Sequence, residues 1–167
     1  VEGWQGRRGI YLRNGEVHGG FNISGNRFKG DVGNVNTDTG FVWVQHGVKN
    51  LVISDNEFVI PTLQEPLLYF YNSSNEYAWE NVKIMNNTVD IGGTFLMCRL
   101  TNQLTVMGNH VEATDIFDFE DDVTNVVVMG NGFVGDGVVG KLTYTNIWKG
   151  IFEQGGIDSE TGGDIDS

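Results

Sequence analysis

Apolar and polar positions alternate along this chain in short bursts, and one burst is written five times. It reads apolar, any residue, Ile or Val, two residues, Asn, any residue, Phe or Val. The copies begin at Phe21, Leu51, Val82, Leu104 and Val126 and place Asn26, Asn56, Asn87, Asn109 and Asn131 at one position, spaced 30, 31, 22 and 22 residues apart. Within each copy the apolar residues alternate, as in Leu51/Ile53, Val82/Ile84, Leu104/Val106 and Val126/Val128. That period of two predicts short strands with one face inward. A second short strand is predicted before each of the later motifs, at 41–45, 68–72, 94–98 and 115–120, with Ile10-Tyr11-Leu12 as an earlier member. No segment carries a sustained helical period with caps.

A fixed period near 22 residues built of short strands predicts stacked units. Each unit lies about 4.8 Å above the last, with like strands paired in parallel. The recurring Asn then stacks as a ladder, its amide bonding to the Asn above and below and to turn backbone. The two longer spacings predict loops near 29–40 and 60–66 that protrude from the stack, with a smaller bulge at Ser74–Trp79. The stacked domain is expected over 1–155, followed by an acidic Gly-rich tail at 156–167. The open strand edges of a stack need covering, and Ile147-Trp148 with Ile151-Phe152 are expected to cap one end. A chain with open ends also reads as part of something larger.

Composition narrows the chemistry. The formal charge is −12, with 10 Lys and Arg against 22 Asp and Glu, so phosphate neutralisation and hence nucleic-acid binding are not expected. No apolar run is long enough to span a membrane. Cys98 is the single cysteine, so no intrachain disulfide forms, and it reads as a lone thiol.

Counting back from each motif sets a register for the preceding strands. It predicts Val42, Phe95 and Phe117 in one inward column and Val44, Met97 and Phe119 in the next, with Tyr69 and Tyr71 joining them. The alternate positions then face out: Trp43, Phe70, Leu96 and Asp118, and beside them Gln45, Asn72, Cys98 and Glu120. Aromatic faces among amides and carboxylates suit sugar rings, which present C–H faces and hydroxyl edges. Trp43, Phe70, Gln45, Asn72 and His46 are therefore the expected substrate-binding residues. Asp118 and Glu120, two apart on one strand face, lie about 6.5–7 Å apart along the backbone. Carboxyl pairs about 6.5–9.5 Å apart serve inverting glycoside hydrolysis, with one acid raised in pKa by crowding. Arg99, one residue beyond its row, is expected to orient or neutralise. The alternative is that the aromatic column is covered by a loop or neighbouring subunit and the acidic run is solvated surface. No cofactor is expected; Ca²⁺ at Asp118, Glu120, Asp121 and Asp122 is a secondary expectation, without EF-hand spacing.

The motif Asn-[Leu/Val]-x-[Ile/Val]-x-x-Asn-x-[Phe/Val], at Asn50–Phe58, Asn81–Val89 and Asn125–Phe133, resembles the parallel β-helix repeat of pectate-lyase-like proteins and bacteriophage tailspikes. Gly20 and Gln103 hold the first position in the other copies, and the resemblance covers about residues 10–145. It implies an all-β, right-handed parallel β-helix of about six coils. It also implies a surface spike, extracellular or on a virion, that binds and on one reading depolymerises a cell-surface polysaccharide, as a homotrimer. Two alternatives stay open: a non-catalytic structural or adhesive β-helix, and a stand-alone polysaccharide lyase or epimerase. The catalytic signatures of pectate lyases and polygalacturonases are not present. Asn36-Thr37-Asp38 spells part of the latter without its companion motifs.

Overall fold

The computed structural model describes residues 9–12, 18–31, 40–71, 78–119 and 123–139. Fourteen strands fall within them: β1 (Ile10–Leu12), β2 (His18–Ser24), β3 (Arg27–Lys29), β4 (Val42–Val44), β5 (Val48–Ser54), β6 (Glu57–Ile60), β7 (Leu68–Phe70), β8 (Trp79–Met85), β9 (Thr88–Ile91), β10 (Thr94–Cys98), β11 (Thr101–Met107), β12 (His110–Phe119), β13 (Val127–Met129) and β14 (Gly132–Val139). There is no helix among the described residues. The protein is all-β, with parallel strands in curled sheets. One sheet runs β13-β11-β8-β5-β2; the other runs β1-β4-β7-β10-β12-β9-β6-β3, with β14 on β12. Every pairing within these sheets is parallel.

The recurring motif builds the first sheet and the corner after it. Leu51, Val82 and Leu104 stack inward in one column, and Ile53, Ile84 and Val106 in the next. Around the corner Phe28, Phe58, Val89, Val111 and Phe133 form a further inward column, in which the Phe28 and Phe58 rings stack 5.1 Å apart. These columns meet in one apolar core, whose burial is the main drive for the fold.

Two positions of the motif take left-handed backbone in every copy. The first is Gly20, Asn50, Asn81, Gln103 and Asn125, with φ between 53° and 84°. The second, just before the ladder Asn, is Gly25, Asp55, Asn86, Gly108 and Gly130, with φ between 54° and 68°. Gly, Asn and Asp accept this region at least cost, which is why the pattern draws on them. Gly108 is doubly constrained, because a Cβ there would lie 2.5 Å from Asn86 Oδ1.

The five asparagines stack at that corner. The backbone N–H and Nδ2 of Asn26 both donate to Asn56 Oδ1 at 3.0 Å. Asn56 donates in the same way to Asn87 Oδ1 at 3.1 and 3.0 Å, Asn87 to Asn109 Oδ1 at 3.0 and 2.9 Å, and Asn109 to Asn131 Oδ1 at 2.9 Å twice. The second Nδ2 hydrogen reaches back to a strand carbonyl: Ile23, Ile53, Ile84 and Val106 accept from Asn56, Asn87, Asn109 and Asn131. Asn56, Asn87, Asn109 and Asn131 are buried, so each amide must be paired inside the protein, and each is.

Leu63 and Leu67 are buried, and Pro61, Gln64 and Glu65 lie against Gly92 and Gly93, where a Cβ would come within 2.7 Å of their atoms. The centre of the 29–40 loop, the capping residues proposed near 147–152 and the 156–167 tail lie outside the described residues.

Candidate functional site

The site expected from the sequence lies on strands β1, β4, β7, β10 and β12, and here the register differs from the sequence reading. The pairings place Ile10, Val42, Leu68, Leu96 and Phe117 in one column and Leu12, Val44, Phe70, Cys98 and Phe119 in another. Leu68, Leu96, Phe70 and Cys98 are all buried in the core. Between the two columns lie Tyr11, Trp43, Tyr69, Met97 and Asp118, on the opposite face. Val42, Val44, Phe117 and Phe119 point inward, and Trp43 and Asp118 lie on the outer face. Phe70, Leu96 and Cys98 are corrected from outward to inward, and Tyr69, Tyr71 and Met97 leave the inward set.

For Leu96, Met97 and Cys98 the cause is a shortened corner. Six residues separate Val44 from Leu51, but only five separate Cys98 from Leu104. Leu100 takes φ 49° to make the tighter turn. Phe95 is still buried at the position just before the inward column, as Phe41, Leu67 and Ile116 are in their rows. A one-residue offset moves a whole strand to the other face. In Leu67-Leu68-Tyr69-Phe70 and Phe95-Leu96-Met97-Cys98 both faces are apolar, so alternation could not resolve it. One signal favoured the observed register: in Tyr69-Phe70-Tyr71 the Phe has no polar tip to satisfy, whereas a phenol hydroxyl calls for a partner.

The outer face carries a continuous aromatic strip. Tyr11 and Trp43 stack with centroids 4.8 Å apart, and Trp43 and Tyr69 lie 6.0 Å apart and tilted by 41°. Tyr69 stacks on Tyr71, the residue just after β7, at 5.3 Å and 5°. The Arg99 guanidinium carbon sits 5.4 Å from the centre of the Tyr71 ring, a cation–π distance. Polar tips stitch the strip together: the Tyr11 hydroxyl bonds to Gln45 Oε1, and Trp43 Nε1–H donates to the Tyr71 carbonyl at 3.4 Å. Tyr69, with rings on two sides, is 6% exposed, while Tyr11, Trp43, Gln45, Tyr71 and Arg99 are half-buried. His46 is half-buried at the corner after β4.

At the far end of the same column stands Asp118, half-buried. Burial holds its carboxyl above the usual aspartate range, and the negative charge of Asp115 on the same strand adds to that. Asp118 pairs in register with Met97 and Phe119 with Cys98, so Arg99 is a diagonal neighbour of Asp118 in the adjacent row. Glu120, Asp121, Asp122 and Asn72 lie outside the described residues. Among the described residues no three His, Cys, Asp or Glu side chains gather at one point to hold a metal ion. The Cys98 thiol is fully buried, which pushes its pKa far up and leaves it inert.

The other outer surfaces are of a different kind. Ion pairs bridge neighbouring rows: Arg27 and Lys29 to Glu57 at 2.7 and 3.1 Å, and Lys49 to Glu80 at 3.0 Å. The hydrogen bond from Lys29 is the main reason the Glu57 carboxyl sits below its usual range. Exposed pairs of this type add little stability. Among described residues, no helix is long and apolar enough to cross a membrane. Searches for relatives of this chain gave no match to any family model, any curated protein or any solved structure.

Proposed function

We propose that the chain is a right-handed parallel β-helix domain of about six coils, from a phage tailspike-like or comparable surface spike, that binds a cell-surface polysaccharide and cleaves it at Asp118. The observation behind this reading is the outer strip, where aromatic rings, an amide, a guanidinium and a half-buried acid follow one another over successive rows. Trp43 has a ring on either side, so a sugar packs against the rim of the strip and against the ring faces at its ends, Tyr11 and Tyr71. Gln45, His46 and Arg99 supply hydrogen bonds to hydroxyls or to an acidic sugar. An acid whose proton is held more tightly than usual suits protonation of a glycosidic oxygen. Asp118 is thus the general acid, and Glu120 the base that activates water.

The test is release of reducing ends from a panel of bacterial capsular and O-antigen polysaccharides, with Asp118→Asn alongside. Reducing ends lost in the variant support a hydrolase at this strand. Unsaturated uronate, seen by its ultraviolet absorbance, moves the reading to a lyase. No release and no binding to any glycan rejects it.

A second reading has its own support. The rings satisfy one another, and Tyr69 is almost wholly covered. A non-catalytic structural or adhesive β-helix, with this strip facing partner chains of a homotrimer, accounts for that. Trp43→Ala then changes the oligomeric state measured by light scattering and leaves glycans unaffected.

A further inference from the structure

Three of the four methionines in the chain occupy one register position on consecutive rows of the first sheet. Met85 closes β8, Met107 closes β11 and Met129 closes β13, and they pair Met85 to Met107 to Met129. The position faces away from the core: the residues just before them, Ile84, Val106 and Val128, point inward and are buried. Met107 is 37% exposed and Met85 and Met129 are half-buried. The turn residues that follow are Asn86, Gly108 and Gly130, and two of these have no side chain to crowd the thioethers. The outward column beside them holds Lys83, Thr105 and Val127. Among the described residues of these rows, no carboxylate shares the methionine column.

Apolar side chains on an outer surface gain little from burial, so a column of three needs a different account. Rows of a parallel stack lie about 4.8 Å apart. A methionine has three rotatable bonds and a soft, polarisable sulfur. Met85 and Met129 can therefore both swing their sulfurs toward that of Met107, and three thioethers then share one centre. Thioethers are poor ligands for hard ions such as Ca²⁺ and Mg²⁺ and select soft ones such as Cu(I). The net charge of −12 favours any cation near the surface. We propose that Met85, Met107 and Met129 form a thioether site for one soft monovalent cation, Cu(I) or its analogue Ag(I). The site is on a different sheet from the aromatic strip and does not depend on it.

The experiment is titration of the full chain with Ag(I), followed by NMR of chain labelled with ¹³C at the methionine methyls. The Met85, Met107 and Met129 methyl signals are expected to move together and to saturate at one ion per chain. The Met97 signal, from the other sheet, is expected to stay. Met107→Leu keeps size and apolarity and is expected to weaken binding by about tenfold or more, with an unchanged melting temperature. Met97→Leu is expected to bind like the parent. The proposal is overturned if the three signals do not move. It is equally overturned if Met97 moves in step with them, or if Met107→Leu binds Ag(I) as the parent does.

Discussion

The motif strands β2, β5, β8, β11 and β13 and the strands that precede them, β1, β4, β7, β10 and the end of β12, fold by the same parallel stacking, yet they carry different kinds of information. In the motif strands most inward positions are aliphatic and most outward ones are polar or flexible: Lys49, Lys83 and Thr105 against Leu51, Ile53, Val82 and Ile84. Their corner is pinned by left-handed turn residues and a buried amide ladder. In β4, β7 and β10 both faces are apolar, with Phe70 inside and Tyr69 and Trp43 outside. Patterning therefore fixes register in the motif strands, while in β10 corner length fixes it. The consequence is functional: the strands least constrained by the repeat are the ones that carry the candidate site.

The sharpest way to break this comparison is to truncate the two aromatics that the register places on opposite faces. Phe70→Ala empties a fully buried position and is expected to cost about 3–5 kcal/mol. Trp43→Ala removes outer ring contacts and is expected to cost about 1–2 kcal/mol. Urea denaturation of both variants measures the difference, and equal losses would reject the observed register. The ladder gives the next effect. Asn87→Ala strands the two donors of Asn56 and the Ile53 carbonyl in a buried corner, an expected loss of about 2–4 kcal/mol. Asn26→Ala, at the exposed end of the ladder, is expected to cost less than about 1 kcal/mol. Similar melting temperatures for the two would mean the ladder does not depend on burial.

The smallest effect concerns Asp118. Its carboxyl binds a proton more tightly in the folded state than in the unfolded chain. It therefore stabilises the fold below the ordinary aspartate range, and that contribution is lost as pH rises through the raised value. Asp118→Asn removes a charge that the fold disfavours. Its melting temperature is expected to equal or exceed the parent's near neutral pH and to converge with it in acid, below the unfolded value. A variant that melts below the parent at neutral pH would mean that the charged carboxylate is instead held by a favourable partner.

The repeat, the parallel stacking and the ladder positions were legible in the sequence because each rests on local rules. Alternation gives a strand, a fixed period gives a stack, and Gly, Asn or Asp at two set positions gives the turns. Trp43 and Asp118 could be placed outward because Val42, Val44, Phe117 and Phe119 flank them with plainly apolar neighbours. Phe70 could not, since Tyr69, Phe70 and Tyr71 give alternation nothing to separate. Nor could the sequence reveal that Leu100 turns the corner one residue early. That choice was made by the core, which pulls Leu96 and Cys98 inward and leaves Met97 outside. By itself, then, the sequence determined an all-β chain of stacked parallel strands. Only the tertiary structure decided which aromatic rings meet on the outer face, because a register between two apolar faces is set by how tightly each corner closes and not by the residues along the strand.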